Sequence, residues 1–320
     1  MLWQRLLFGI LMIAAIGGVA VFDGWLSAWA LAEGAEGATA WEAGARLWCG
    51  LPITAVVIAL VVLATYELGR LCQGGGHRPA THWAVFVGAL LTIVPWIEMQ
   101  QRMGPAGAFG PAVQVNFSLA AFLLTGAVLG TCLAVLMRKT TEGAVSSMAV
   151  TLLMVLYVGL LGSFVVRLRC LQPGPAGAGL AVLFVVTVKS GDIGAYFVGK
   201  FLGKHKLAVW LSPGKTIEGA IGAVAVAAAV AMGCVAGWHE GIGTLGPVPL
   251  SFAQALLFGV VMAIGGQLGD LIESAIKRDA GRKDSGRVVP AFGGLLDIVD
   301  SPIFTAPIAW WLLTRWTSIG

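Results

Sequence analysis

The residues able to do chemistry crowd into the second half of the chain. Nine of its 16 acidic side chains fall between 190 and 302: Asp192, Glu218, Glu240, Asp270, Glu273, Asp279, Asp284, Asp297 and Asp300. Several sit within or at the edge of long apolar runs. An ionised group at the centre of a membrane helix costs about 2.5–3.5 kcal/mol on insertion scales, so such residues are usually paired and usually mark a site. The bland alternative is a set of interfacial salt bridges. The densest stretch runs from Gly269 to Ser301. Asp270, Glu273, Ser274 and Lys277 follow i, i+3, i+4, i+7 spacing and line one helix face. Asp297 and Asp300 share a face of a second helix, and Lys277, Arg278, Lys283 and Asp284 lie between the two pairs. Carboxylates from two helices suit a hard cation. Neighbouring basic side chains suit phosphates. The combination is what metal-assisted phosphoryl or nucleotidyl transfer needs, a cation on the phosphate oxygens and positive charge for a leaving pyrophosphate.

Two upstream stretches carry lysines. In the run from Lys189 to Lys204, Lys189 and Asp192 are three apart and share a helix face, and Lys200 and Lys204 are four apart and point together towards one membrane surface. In Ser212-Pro213-Gly214-Lys215-Thr216-Ile217-Glu218-Gly219, the Gly-Lys-Thr triplet resembles the end of a Walker A loop. That motif requires a glycine where Val209 stands, and a βαβ context that is absent. The stretch is read instead as a tight turn opening a helix, with Ser212 as N-cap and with Lys215 and free N–H groups facing a phosphate.

The elements that must position these residues are membrane helices. Of 320 residues 58% are hydrophobic and 11% charged, against about 25% charged in a soluble domain. A bilayer core takes about 20 mostly apolar residues per helix. That length picks out nine spans, near 6–24, 50–68, 81–98, 117–137, 146–166, 178–199, 216–236, 252–273 and 295–316. The fold class is therefore an all-α polytopic helical bundle. Residues 1–180 are read as scaffold and 181–320 as the catalytic region. With the N-terminus inside, the inner segments hold 14 Lys and Arg and the outer ones five, including Arg167 and Arg169. This favours a cytoplasmic N-terminus. Trp25, Trp48, Trp83, Trp96, Trp238 and Trp316 fall at span ends, as in an interfacial belt. Residues 25–49 read as an outer loop, and Glu67 and Glu98 as span ends. Residues 1–30 read as a retained helix rather than a signal peptide. The five cysteines are scattered, with neither a zinc motif nor a disulfide framework. No basic stripe with interleaved aromatics points to nucleic acid. A transporter would commonly repeat its polar site in both halves; here the charge sits in one.

At these residues the sequence resembles the phosphatidate cytidylyltransferase (CDP-diacylglycerol synthase) family, whose C-terminal signature reads S-x-x-K-R-x4-K-D-x-G-x3-P-x-H-G-G-x-x-D-R-x-D. Ser274, Lys277, Arg278, Lys283, Asp284, Gly286, Pro290, Gly293, Gly294, Asp297 and Asp300 fall in register. The Asp192…Gly199-Lys200…Gly203-Lys204 and Ser-Pro-x-Lys-Thr-x-Glu-Gly elements are similar to that family too. The match covers about 185–302. Phe292 stands where the pattern has His, and Ile298 where it has Arg. The resemblance implies a Mg2+-dependent reaction of CTP with phosphatidate, giving CDP-diacylglycerol and pyrophosphate, at the cytoplasmic face of a cell inner membrane. It also carries the expectation of a homodimer in contact with membrane lipids. Under it, Asp270, Lys277 and Asp297 are the expected catalytic residues, and Asp270, Asp297, Asp300 and Asp284 the expected metal ligands. Lys200, Lys204, Ser212, Lys215, Thr216, Arg278 and Lys283 would bind substrate phosphates, and Asp192, Glu218 and Glu273 would orient the lysines. The alternatives are a related nucleotidyltransferase or kinase acting on an isoprenoid lipid, and an inactive homologue marked by Phe292 and Ile298.

Overall fold

The computed structural model describes residues 2–33, 46–103, 118–239, 250–286 and 293–317, with backbone alone for 2–13 and 118. Among them are nine helices long and apolar enough to cross a membrane. These are α1 (Leu2–Glu33), α2 (Leu51–Gly74), α3 (Thr81–Arg102), α4 (Ser118–Leu136), α5 (Ala144–Arg169), α6 (Pro175–Leu202), α7 (Ile217–His239), α8 (Phe252–Asp279) and α9 (Leu296–Thr317). The chain is an all-α polytopic membrane protein. One antiparallel hairpin interrupts the helices, β1 (Lys206–Ala208) paired with β2 (Ser212–Thr216), with Lys206 opposite Thr216 and Ala208 opposite Ser212.

Local signals set several helix ends. Pro lies in the first turn of both α2 and α6, where its missing N–H is not needed. Ser251 and Gln254 form a reciprocal capping box at the start of α8. Within α5 the residues Val155–Leu160 take π-helical geometry.

Two apolar cores hold the bundle together. One gathers buried residues of α2, α3 and α5, including Leu68, Leu91 and Val158. The other gathers α6, α7, α8 and α9 around Phe184, Val235 and Phe258. α9 contributes to both, with Ile303 in the first and Ala309 in the second. The outward faces remain apolar: Phe122, Leu136 and Val145 are 71%, 74% and 79% exposed. Apolar surface on that scale belongs in lipid.

Three expectations are corrected here. α1 does not stop near residue 24; it continues to Glu33 because it buries Asp23 and Ser27. Arg169 is not a loop charge. It is fully buried and donates through Nε to Asp23 Oδ2 at 2.5 Å and through Nη2 to Ser27 Oγ at 2.7 Å. Asp23 Oδ1 also accepts from Ile53 N at 3.2 Å, so a side chain of α1 caps the start of α2. Arg167 likewise pairs with Glu98 at 2.8 Å. Finally, Trp96 is buried at 7% exposure rather than part of a belt, and donates to the Cys49 carbonyl at 3.0 Å.

Candidate active site

The polar residues of the second half meet where α6, the hairpin, α7, α8 and α9 converge. α8 and α9 approach closely there because Gly269 has no side chain; a Cβ on it would lie 3.1 Å from the Asp300 carbonyl and 3.2 Å from Ser301 Cα. That contact lets Ser301 Oγ donate to Asp270 Oδ1 at 3.0 Å, and it sets the carboxyls of Asp270 and Asp300 within hydrogen-bonding reach of each other. Asp270 Oδ2 pairs with Lys215 Nζ at 3.0 Å, bringing β2 onto α8. On α6, Lys189 Nζ meets Asp192 Oδ2 at 2.9 Å, one helical turn apart as the spacing predicts. A cavity of about 340 Å3 opens beside this group, lined by Asp192, Tyr196, Lys200, Lys215, Thr216 and Asp270.

A second group centres on Asp297, at the start of α9. Its Oδ1 accepts from Lys277 Nζ at 2.5 Å, and Lys277 also holds Glu273 at 2.5 Å. Its Oδ2 accepts from Gly294 N at 2.8 Å and Ser285 N at 3.3 Å, and it lies 2.9 Å from Ser285 Oγ, whose one hydrogen it shares with Glu67. The loop folds back on Asp297 through Gly293, whose φ of +98° lies in the region that favours glycine.

The structure adds Glu67 of α2, which the sequence reading left at a span end. Glu67 is 6% exposed; its Oε2 accepts from Leu295 N at 2.7 Å and its Oε1 from the Ser285 hydroxyl. It ties α2 to the loop that carries the signature. Tyr157, in the π-helical stretch of α5, is the second addition. It is 6% exposed, its hydroxyl has no hydrogen-bond partner among the described residues, and it lies in electrostatic range of Asp300, Glu273 and Asp270. An acid inside an apolar run was the available signal for Glu67. Nothing in the sequence marked Tyr157.

Several expectations shift. The four carboxylates expected to share a cation lie in two pairs, Asp270 with Asp300 and Asp284 near Asp297 on either side of Gly293. Asp270 and Asp297 each have both oxygens engaged by donors, and Asp284 is exposed with no ion pair among the described residues. Among those residues no group of three or more His, Cys, Asp or Glu is arranged for a metal. Ser212 does not cap a helix; it lies in β2, and Thr216 caps α7 instead, its Oγ1 accepting from Gly219 N at 3.1 Å. Glu218 orients no lysine side chain. It accepts from the backbone N–H of Lys204 and His205 at 3.0 and 3.1 Å and pairs with the His205 imidazole at 2.6 Å, because the hairpin brings the end of α6 over the first turn of α7. Asp192 holds Lys189 rather than the cavity lysines. The Lys200 ammonium sits over the rings of Tyr196 and Phe201, at 5.6 and 5.8 Å. Arg278 and Lys283 are exposed and make no ion pair among the described residues. Ile298 is half-buried in the first turn of α9; Phe292 and Pro290 lie outside the described residues.

The donor set fits a divalent cation. As formal charges, the carboxylates of Asp192, Asp270, Asp300, Glu273, Asp297 and Glu67 outnumber the ammonium groups of Lys189, Lys215 and Lys277 by two to one. Glu273 Oε1 is buried without a partner. Mg2+ is commonly held by one or two carboxylates and completed by water and substrate phosphates rather than by an all-protein cage. The Asp270–Asp300 pair offers that kind of incomplete shell.

Fold and site together define a polytopic membrane protein with a lysine- and carboxylate-lined polar centre. Residues 43–316 match the Cytidylyltransferase family, and the chain belongs to that family. It is 42% identical over 140 residues to the uncharacterized protein YnbB of Escherichia coli (strain K12), covering 43% of each chain. It is 38% identical over 160 residues to a phosphatidate cytidylyltransferase of Bacillus subtilis, covering 49% of this chain and 55% of the relative. To a phosphatidate cytidylyltransferase of Synechocystis it is 28% identical over 288 residues, covering 82% of this chain and 89% of the relative. The first two matches thus span about half the length of those relatives.

Proposed function

We propose that the protein is a phosphatidate cytidylyltransferase, joining CTP and phosphatidate into CDP-diacylglycerol with release of pyrophosphate. The observation that carries this reading is the cavity beside Asp270, where Lys200, Lys215 and Thr216 line a pocket with the half-exposed Asp270, backed by the buried Asp300, inside an apolar bundle. Phosphatidate brings its own nucleophile, a phosphate oxygen, so the protein need not supply a strong base. That oxygen attacks the α-phosphorus of CTP; the new P–O bond forms as the bond to the β-phosphate bridge breaks, and pyrophosphate departs. Catalysis is then positioning and charge neutralisation. Lys215 and Lys200 hold the triphosphate, with the Thr216 hydroxyl beside them. Lys277, braced by Glu273 and Asp297, faces the developing charge. Lys204, Arg278 and Lys283 are exposed charges that draw anionic substrate to the site. Asp270 and Asp300 would hold Mg2+, which supplies Lewis-acid neutralisation of phosphate oxygens when bound.

The polar centre opens at the end of the bundle where the lysine-bearing segments 200–215 and 277–283 lie. By the positive-inside rule that end is cytoplasmic, with the N-terminus on the same side. Burial of Arg169 and pairing of Arg167 remove two charges from the opposite count and strengthen that assignment. An isoprenoid-lipid acceptor is the second reading, since Phe292 and Ile298 depart from the signature.

The test is pyrophosphate release from CTP by the purified protein in detergent with Mg2+. Phosphatidate and an isoprenyl phosphate serve as parallel acceptors, and Asp297→Asn as control. CDP-diacylglycerol that forms with wild type and is lost with Asp297→Asn is the expected result. A folded sample inert with phosphatidate overturns the proposal, and turnover with the isoprenyl acceptor moves it to the second reading.

A further inference from the structure

A second cavity, of about 550 Å3, lies in the scaffold half among α2, α3 and the end of α4, and the reaction makes no use of it. Its walls include Tyr66, Arg70, Gln73, His82, Trp83 and Arg138. Both arginines lack an acidic partner among the described residues. Arg70 rests on the Tyr66 ring, its Cζ 5.2 Å from the centroid. Arg138 is held by neutral acceptors, donating to Ser147 Oγ at 2.7 Å and to the Arg78 carbonyl. The N-terminus of α3 opens into the same space: Pro79, Ala80, Thr81, His82 and Trp83 line it, Ala80 N donates to Thr151 Oγ1 at 2.9 Å, and Ala80 at the N-cap has no side chain to receive the N–H groups that follow. Two guanidinium groups and the positive end of a 22-residue helix converge on one polar hollow. Its rim is apolar and outward-facing, with Leu133 58%, Leu136 74% and Met137 74% exposed. It lies at the end of the bundle where α8 finishes, since a Cβ at Gly75 would meet Ala280 Cα at 3.2 Å and His77 lies 3.9 Å from Asp279.

We infer that this cavity binds the phosphate head group of an anionic glycerophospholipid, at a site separate from the cavity beside Asp270. The arginines and the helix N-terminus receive the phosphate. Trp83 and Tyr66 line the cavity with amphipathic rings of the kind that suit head groups, and the exposed flank of α4 receives an acyl chain. A soluble anion would gain the charge contacts but not the apolar rim. Because α2 carries Glu67 one position along from Tyr66, the lipid braces the same helix that ties down the 285–295 loop.

The experiment is native mass spectrometry of the full chain released from detergent, titrated with phosphatidylglycerol and, separately, with phosphatidylcholine. Phosphatidylglycerol is chosen because it is not the proposed substrate. Wild type should retain one phosphatidylglycerol in preference to phosphatidylcholine. Arg70→Gln and Arg138→Gln should each weaken retention about tenfold, the scale of losing one charge-assisted hydrogen bond. Lys139→Gln, a charge loss on the same loop but outside the cavity, should change nothing. Arg70 is exposed and rests on the Tyr66 ring, so Arg70→Gln keeps the test alive if Arg138→Gln misfolds. Equal retention of phosphatidylcholine, wild-type retention in Arg70→Gln, or displacement by millimolar inorganic phosphate would each overturn the inference.

Discussion

Tyr157 and Glu67 act on the site from helices that carry none of the signature. A buried hydroxyl without a partner costs about 1–3 kcal/mol, and π-helical turns gather at functional sites. Tyr157 combines the two within electrostatic range of three carboxylates, so under the proposed function its hydroxyl would meet a substrate phosphate. Tyr157→Phe should therefore lower turnover about tenfold while leaving the unliganded protein as stable as wild type or more so, by about 1 kcal/mol. Turnover and unfolding in detergent, measured side by side, check this; a variant that loses both would make the ring a packing residue only. Glu67 is different, because its two oxygens are already occupied by Leu295 N and Ser285. Glu67→Gln keeps the shape but replaces an anionic acceptor, and charge-assisted bonds are roughly twice as strong as neutral ones. The loop that presents Asp297 should loosen. Initial-rate kinetics should show kcat falling about tenfold or more with little change in KM for CTP, since the triphosphate lysines Lys200 and Lys215 sit on other elements.

At the scale of elements, the hairpin decides where Lys215 goes. β1 and β2 hold Lys215 over α8, and Thr216 begins α7 beneath it. Removing the cap with Thr216→Ala should cost about 1 kcal/mol of stability. It should also weaken CTP binding, because the lysine and the cap are adjacent in one turn. A thermal shift with and without CTP separates the two effects, and an unchanged CTP response would confine Thr216 to capping. The helices themselves were legible from sequence, since exposing backbone or charge to lipid is so costly that about 20 apolar residues nearly dictate a span. The i, i+3 and i, i+4 pairs Lys189–Asp192 and Glu273–Lys277 were legible for the same geometric reason. The hairpin was not: Ser212 to Thr216 contains Pro and Gly and no alternating apolar pattern, and its strands exist because they pair with each other. Nor was the reach of Glu67 to Leu295, a contact 228 positions long that follows only from how α2 and α9 pack. The Asp297 hub was legible as a residue but not as a saturated acceptor, because its donors come from a loop with no periodicity.

Over the whole molecule, one buried ion pair joins the first helix to the fifth. Asp23 and Arg169 are both fully buried, and Asp23 serves two masters: Arg169 through Oδ2 and the α2 N-terminus through Oδ1. Breaking a buried pair by removing one charge typically costs about 3–5 kcal/mol, whereas replacing both partners by apolar groups is often neutral. These two statements predict different things for this protein. Asp23→Asn should destabilise by about 3 kcal/mol or more, because Arg169 keeps a buried charge without its carboxylate. The double variant Asp23→Leu with Arg169→Leu removes that charge but also leaves Ile53 N without its acceptor, a loss of about 1–2 kcal/mol on the scale of helix caps. It should therefore recover most, not all, of the stability lost by Asp23→Asn. Detergent unfolding followed by circular dichroism reads the order directly: wild type, then the double variant, then Asp23→Asn. A double variant as unstable as Asp23→Asn would mean that capping of α2, rather than charge pairing, is what α1 contributes. The scaffold half would then hold Glu67, and through it the signature loop, by the start of α2 alone.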